Sequence, residues 1–213
     1  MALRMSTKKV LTPRSQRKRE QILAAASELF MSQGYMTSMD LIAEQAGVSK
    51  QTVYSHFKTK DDLFDTCIRA KCVAAEFTET ALDHSLPIRE FLCQFAYRFQ
   101  AMLLSTEAVL MFRTAISQID NHPDLAKTYL AAGPEATVIL LVQFLELKQQ
   151  QGIIAIPENM TLEQAAMQLL LMWHGKAVYW RYLGQETQEL EIELHHYLDA
   201  CVDLFLAGYQ VDN

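Results

Sequence analysis

Apolar positions recur along this chain at three- and four-residue intervals, the spacing of one face of an α-helix. The first stripe, in a segment opening at Arg17, is Ile22, Leu23, Ala26, Leu29 and Phe30, and Gly34 can close it as a left-handed C-cap. Residues 1–16 show no such period and contain Pro13, so a mobile basic arm is expected there. Thr37 or Ser38 can N-cap a second helix running to Ala46, with Asp40 in its first turn, where a carboxylate suits the helix dipole. Ala46-Gly47-Val48-Ser49 comes next. Gly47 can take a positive φ, Val48 can turn inward, and Ser49 can cap a third helix after a very short turn. Helices joined this tightly must cross steeply. Over residues 50–57, Val53 and Phe57 are spaced i, i+4 and anchor to a core. Gln51, Thr52 and Ser55 point away, with Tyr54 and His56 on the flanks. That outward face is polar, aromatic and free of carboxylates, as a helix lying in a DNA groove requires.

Beyond residue 60 the apolar period continues, interrupted at Ser85-Leu86-Pro87, Asn121-His122-Pro123, Gly133-Pro134, Gly152 to Pro157, and Gly184. Helices are expected near 60–83, 88–104, 106–119, 123–132, 134–151, 161–183 and 187–208, which with the first three makes about ten. Composition agrees with an all-α fold: 50% of residues are hydrophobic, and only 7 Gly and 5 Pro occur in 213 residues. The expected organisation is the arm, a helix-turn-helix domain over 17–60, and a larger helical domain over 61–213.

Charge divides along the same line. Residues 1–60 carry ten Lys and Arg against four carboxylates, while the rest carries enough acid to bring the chain to −6. A basic segment joined to an acidic body is the footprint of a module that neutralises phosphates, although the basic residues before Glu20 could also be a solvated tail.

Thr37 to Phe64 reads TSMDLIAEQAGVSKQTVYSHFKTKDDLF, and this stretch resembles the N-terminal signature of the tetracycline-repressor-like (TetR) family. The segment HPDLAKTYLAAGP resembles part of the AefR-like branch of TetR C-terminal domains. In a helix-turn-helix the second helix enters the major groove and its N-terminal residues reach base edges. Gln51 and Thr52 are the expected base readers, since Gln can pair with adenine and the Thr methyl can meet a thymine methyl. The resemblance implies phosphate contacts from Tyr54, His56 and Lys60, with Thr37, Ser38 and Lys50 also at the DNA. Many relatives carry Gly where this chain has Gln51, so base preference does not transfer.

In the larger domain, residues 162–183 are apolar on two sides, and so are residues 136–147, which suggests burial on two sides. Leu141, Phe144, Leu145, Leu169, Leu170 and Trp173 are therefore expected at a homodimer interface like that of the resembling family, the alternative being a purely internal core. Met102, Met111, Phe112, Arg113, Trp173, His174, Tyr179, Trp180 and Tyr182 are candidate lining for a small-molecule pocket, because aromatics and adaptable Met suit apolar ligands. Core packing is their alternative. Glu191, His195 and Asp199 imitate a metal face but read as a solvated face with ion pairs, and no metal or cofactor is expected. The four Cys lack CxxC pairing and read as small hydrophobes, with redox sensing as the alternative.

No Gly-rich phosphate loop, serine elbow or zinc-type His pair supports an enzyme. The basic N-terminal stretch has no apolar run after it, and Val138 to Val142 soon meets Gln143, Glu146 and Lys148, so neither a secretory signal nor a membrane span is expected. The expectation is a cytoplasmic homodimeric repressor. It would bind an inverted-repeat DNA operator and be released by an apolar or amphipathic inducer. Its rivals are a small-molecule binding or interaction protein with a vestigial helix-turn-helix, and a nonspecific DNA-packaging protein, which the acidic body disfavours.

Overall fold

A computed structural model describes residues 12–74, 77, 83, 85–186 and 188–211. Among them the chain forms ten helices and one isolated antiparallel bridge, Ile154 with Gln210. Two compact units divide between Cys67 and Ile68.

The first unit holds α1 (Pro13–Gln33), α2 (Met39–Gln45), α3 (Lys50–His56) and the start of α4 (Lys60–Ala74). Helix α1 begins four residues before Arg17. Pro13 is at its first position, where a missing N–H costs nothing, and the Thr12 hydroxyl accepts from the Ser15 amide at 3.3 Å. Residues 13–16 are thus helical and not part of an arm; residues 1–11 of the expected arm lie outside the described residues. Ile22, Ala26, Leu29 and Phe30 of α1 are buried with Ile42, Val53, Phe57, Leu63 and Phe64. Phe64 meets Phe30 and Tyr35 edge-on, at centroid distances of 5.2 and 5.6 Å, a favoured aromatic geometry.

The second unit holds α5 (Ile88–Leu104), α6 (Thr106–Ser117), α7 (Pro123–Ala132), α8 (Pro134–Gln150), α9 (Leu162–Tyr182) and α10 (Glu191–Tyr209). Residues 75–76 and 78–82, where helix was expected to continue to 83, lie outside the described residues. The core forms where Phe91, Phe95 and Phe99 of α5 meet α8, α9 and α10. Phe91 stacks on Phe144, Trp173 lies between Phe95 and Phe99, and Leu198, Val202 and Phe205 close the other side.

Helix α9 begins with a reciprocal cap: the Thr161 hydroxyl accepts from the Gln164 amide at 3.1 Å, and the Gln164 side chain accepts from the Thr161 amide at 2.8 Å. It breaks at Gly175, whose φ of 56° and ψ of −173° are not helical. Tyr197 of α10 seals the break, its hydroxyl donating to the Met172 carbonyl at 2.8 Å.

Pro123–Gln150 is long and apolar enough, by length and composition, to cross a membrane, although no span was expected around Val138 to Val142. Gly133, at φ −125° and ψ −74°, divides that stretch into α7 and α8, which pack on each other.

The six residues expected between two chains are instead buried within this one: Leu141, Phe144, Leu145, Leu169 and Trp173 fully, and Leu170 nearly so. The expectation assumed that α8 and α9 could not both be central. They are, because α5 and α10 pack against α9 and α5 also packs its Phe91 ring on Phe144 of α8. The apolar residues that α8 and α9 leave exposed include Ile139, Tyr179 and Trp180.

Candidate functional site

Local rules build the helix-turn-helix. Ser38 caps α2, its hydroxyl accepting from the Leu41 amide at 3.1 Å, and Ser49 caps α3, accepting from the Thr52 amide at 3.2 Å. Between them Gly47 takes φ 63°, and the Val48 amide returns to the Ala43 carbonyl at 3.0 Å. The turn therefore satisfies its own backbone groups without help from distant residues. Val53 and Phe57 are buried, which fixes the rotation of α3. Gln51, Tyr54 and Ser55 are exposed, and Thr52 and His56 are half-buried.

The expected DNA contacts fall into three groups. Gln51, Tyr54 and His56 lie on the outward side of α3, and Ser38 is exposed at the α2 terminus. Lys50 is exposed but held by Asp40 at 2.7 Å, and the Thr52 hydroxyl pairs with the Ser49 hydroxyl at 2.8 Å. An exposed ion pair of this kind is weak and exchanges readily for a phosphate. Thr37 does not fit the expectation. Its side chain is buried and its hydroxyl has no hydrogen-bond partner among the described residues. Lys60 is half-buried. Its ammonium donates to the Thr37 carbonyl at 3.3 Å and lies 4.2 Å from the Tyr35 ring centre, and burial lowers its pKa. Tyr35 in turn donates to Asp61, and burial together with that carboxylate raises its phenol well above the ordinary range.

Two residues extend the basic surface beyond what residue spacing indicated. Burial lowers the pKa of His56, and the charges of Arg19 and Lys18 lower it further, so both cations lie near the end of α3. Arg19 also covers the Phe57 ring at 4.8 Å. Both belong to the helix expected from Arg17, but its apolar period fixes only the buried face and does not say which of its cations come near the end of α3.

The second unit contains a cavity of about 290 Å³, lined almost wholly by apolar and aromatic groups from α4 through α9. Of the expected pocket residues, Met102, Met111, Phe112, His174 and Tyr182 line it. Arg113, Trp173, Tyr179 and Trp180 do not. Arg113 donates to the carbonyls of Tyr182 and Arg181, at 3.0 and 2.7 Å, and so caps the end of α9. Trp173 is buried in the core, its indole N–H without a hydrogen-bond partner among the described residues, whereas Tyr179 and Trp180 face solvent past the Gly175 break. The structure adds Phe99, Tyr129, Met167 and Leu170 to the lining. Tyr129 lies inside the HPDLAKTYLAAGP segment, whose distinctiveness was visible without its role.

Of Glu191, His195 and Asp199, expected on a solvated face with ion pairs, Asp199 accepts from Tyr97 and His195 stacks on the Tyr97 ring at 4.0 Å. Among the described residues no group of three or more His, Cys, Asp or Glu is placed to hold a metal ion.

A tight two-helix turn presenting a polar, carboxylate-free helix, joined to a helical unit with an apolar cavity, defines a helix-turn-helix transcriptional regulator. Residues 22–67 match the family described as bacterial regulatory proteins, tetR family, and residues 90–211 match the AefR-like transcriptional repressor C-terminal domain. The chain belongs to the TetR family, with an AefR-like C-terminal domain.

Among solved structures it is similar to a TetR-family transcriptional regulator from Mesorhizobium loti MAFF303099. That likeness has 30% identity and a TM-score of 0.78, covering 94% of this chain and 100% of that one. The flavonoid-responsive regulator FrrA is also 30% identical, with a TM-score of 0.77 and coverage of 93% and 100%. The HTH-type transcriptional activator FasR of Mycolicibacterium smegmatis is 51% identical over 53 residues, 24% of each protein, so this chain spans about a quarter of that relative's length. These matched families and relatives are transcriptional regulators; DNA binding through the helix-turn-helix, a ligand response and dimers are typical of the family.

Proposed function

We propose that the chain is a ligand-responsive repressor that binds an inverted-repeat operator as a homodimer and is released by a small molecule held in the second unit. The observation that carries this reading is the exposed polar face of α3, with Gln51 and Tyr54 projecting from a helix whose rotation Val53 and Phe57 fix. Gln51 and Thr52 read bases; Ser38, Lys50, Tyr54, His56 and Lys60 serve the phosphates, joined by Lys18 and Arg19. Thr37 acts indirectly, by holding the Lys60 ammonium on its carbonyl. The exposed apolar residues Ile139, Tyr179 and Trp180 supply a dimer face on α8 and α9. The AefR-like match and the name of the flavonoid-responsive relative support ligand control and repression.

A ligand releases DNA only if it binds more tightly to the form whose two heads do not fit half-sites about 34–36 Å apart. Helix α4 spans the residue boundary of the two units and is the proposed lever. The test is selection of bound fragments from genomic DNA, with sedimentation of the same preparation. A single enriched inverted repeat and a dimer at micromolar concentration are expected. Enrichment of no discrete sequence, or a monomer at that concentration, would overturn the reading; binding at high affinity to every sequence would favour DNA packaging.

A further inference from the structure

The cavity of the second unit is walled by a chain of rings, each edge-on, tilted or stacked on the next: Phe99, His174, Tyr182, Phe112 and Tyr129. Phe99 and His174 are 5.6 Å apart at 74°, whereas Tyr182 and Phe112 are nearly parallel at 3.9 Å. Such a wall offers ring faces and edges together, the two surfaces on which a flat π-system gains most.

Few polar groups interrupt it, and most of them are already committed. The Thr137 hydroxyl donates to the Gly133 carbonyl at 3.0 Å. Lys71 is the charged side chain of the lining, but it is half-exposed and lies 3.8 Å from Glu107. His174 Nδ1 lies 2.8 Å from the Leu170 carbonyl, which can only accept, so the proton of the neutral ring belongs on Nδ1 and Nε2 is left as an acceptor. The hydroxyls of Tyr129 and Tyr182 make no hydrogen bond among the described residues. They lie near enough to each other, with the Cys72 thiol beside Tyr129, to act on its ionisation. Burial raises Tyr182 to about 12 and Tyr129 further, so both stay protonated and neutral.

We propose that the ligand of this cavity is an uncharged planar aromatic compound carrying a hydroxyl group, which stacks within the ring wall and donates its proton to His174 Nε2 or a Tyr hydroxyl. The proposal rests on the reading of the cavity as the inducer site but names the chemistry that site selects. A carboxylate is disfavoured because Lys71, the charged side chain of the lining, is half-exposed beside Glu107, and burying an unpaired charge among the rings is costly. A saturated ring system of the same outline would lose the stacking, and an aromatic hydrocarbon would make no hydrogen bond to His174 Nε2 or the Tyr hydroxyls. About 290 Å³ is at the small end of ligand pockets, which suits two or three rings.

Calorimetric titration of the full chain with four probes of one outline tests this: 2-naphthol, naphthalene, decahydro-2-naphthol and 2-naphthoate. Binding of 2-naphthol about tenfold tighter than each of the others is expected, as one well-made hydrogen bond and a ring stack together allow. Tyr129→Phe and His174→Leu should narrow the gap between 2-naphthol and naphthalene, and Phe112→Leu the gap between 2-naphthol and its saturated analogue. Thermal melting of each variant establishes that it is folded; if one is not, the wild-type ranking decides alone. Equal or tighter binding of 2-naphthoate or decahydro-2-naphthol would overturn the proposal, as would no binding of any probe. Tight 2-naphthol binding that leaves DNA affinity unchanged would support the ligand class and contradict the inducer-site reading instead.

Discussion

Among the glycines with positive φ, Gly47 of the first unit and Gly175 of the second have opposite surroundings. Gly47, at φ 63°, joins α2 to α3, and a Cβ there would meet nothing within 4 Å. Gly175, at φ 56°, breaks α9, and a Cβ there would lie 2.9 Å from the Tyr197 ring. The first bend is held by its own neighbours, through the Ser49 cap and the return of the Val48 amide to Ala43. The second is held by another helix. A head built from local rules can present the same face regardless of what the rest of the chain does, whereas the cavity depends on helices far apart in sequence.

Core and surface side chains of the second unit break or sharpen that contrast most strongly. Trp173→Ala should destabilise the second unit by about 3–5 kcal/mol, the usual cost of emptying an aromatic core site, whereas Leu204→Ala, at an exposed position of α10, should stay within about 0.5 kcal/mol. Denaturant melts of the two variants measure this. Similar losses for both would mean that Trp173 is not central to the core.

The glycines come next. Gly175→Ala should cost about 1–3 kcal/mol, since strained φ is joined by a clash with a ring whose hydroxyl is tied to Met172. Gly47→Ala carries the φ strain alone and should cost about 1 kcal/mol. A larger loss at Gly47 would reverse the account of the two bends.

These same differences decide what could be read from residue order. The α2–α3 turn was legible because Gly47, Ser49, Val53 and Phe57 are all within eleven residues and each acts through its neighbours. The rotation of α3 followed, and with it the exposure of Gln51 and Tyr54. The bounds of α5 and α7 were also legible, from Pro87, Pro123 and Gly133. The cavity was legible only as a composition. Met102, Met111, Phe112 and His174 line it, while Trp173, of similar character and one residue away from His174, belongs to the core. The Gly175 break redirects Tyr179 and Trp180 to solvent, a consequence of packing against Tyr197 that no period reveals. Thr37 is buried where an exposed side chain was expected, because a cap position and its neighbour differ in burial by one step of the chain.

A smaller effect is expected from pH. His56 is held below its ordinary pKa by burial and by Arg19 and Lys18, so the free head binds that proton poorly. A DNA phosphate beside His56 would raise the pKa, and binding would take up a proton. Operator affinity should therefore fall as pH rises through the range near 6.5, and His56→Gln should flatten that slope. The folded state alone responds in the opposite sense: a depressed histidine pKa makes its contribution to stability decline as pH falls below the ordinary value. A wild-type affinity independent of pH would place His56 away from the phosphates.

The central claim is that the outward face of α3 reads bases while neighbouring cations grip the backbone. Its most direct test is the sequence preference of wild type against Gln51→Ala, selected from one random DNA pool at a fixed salt concentration. Loss of about 1–3 kcal/mol of discrimination is expected at symmetric positions of the two half-sites, with the remaining positions unchanged. Recovery of the same consensus with the same base preferences by both proteins would contradict the claim.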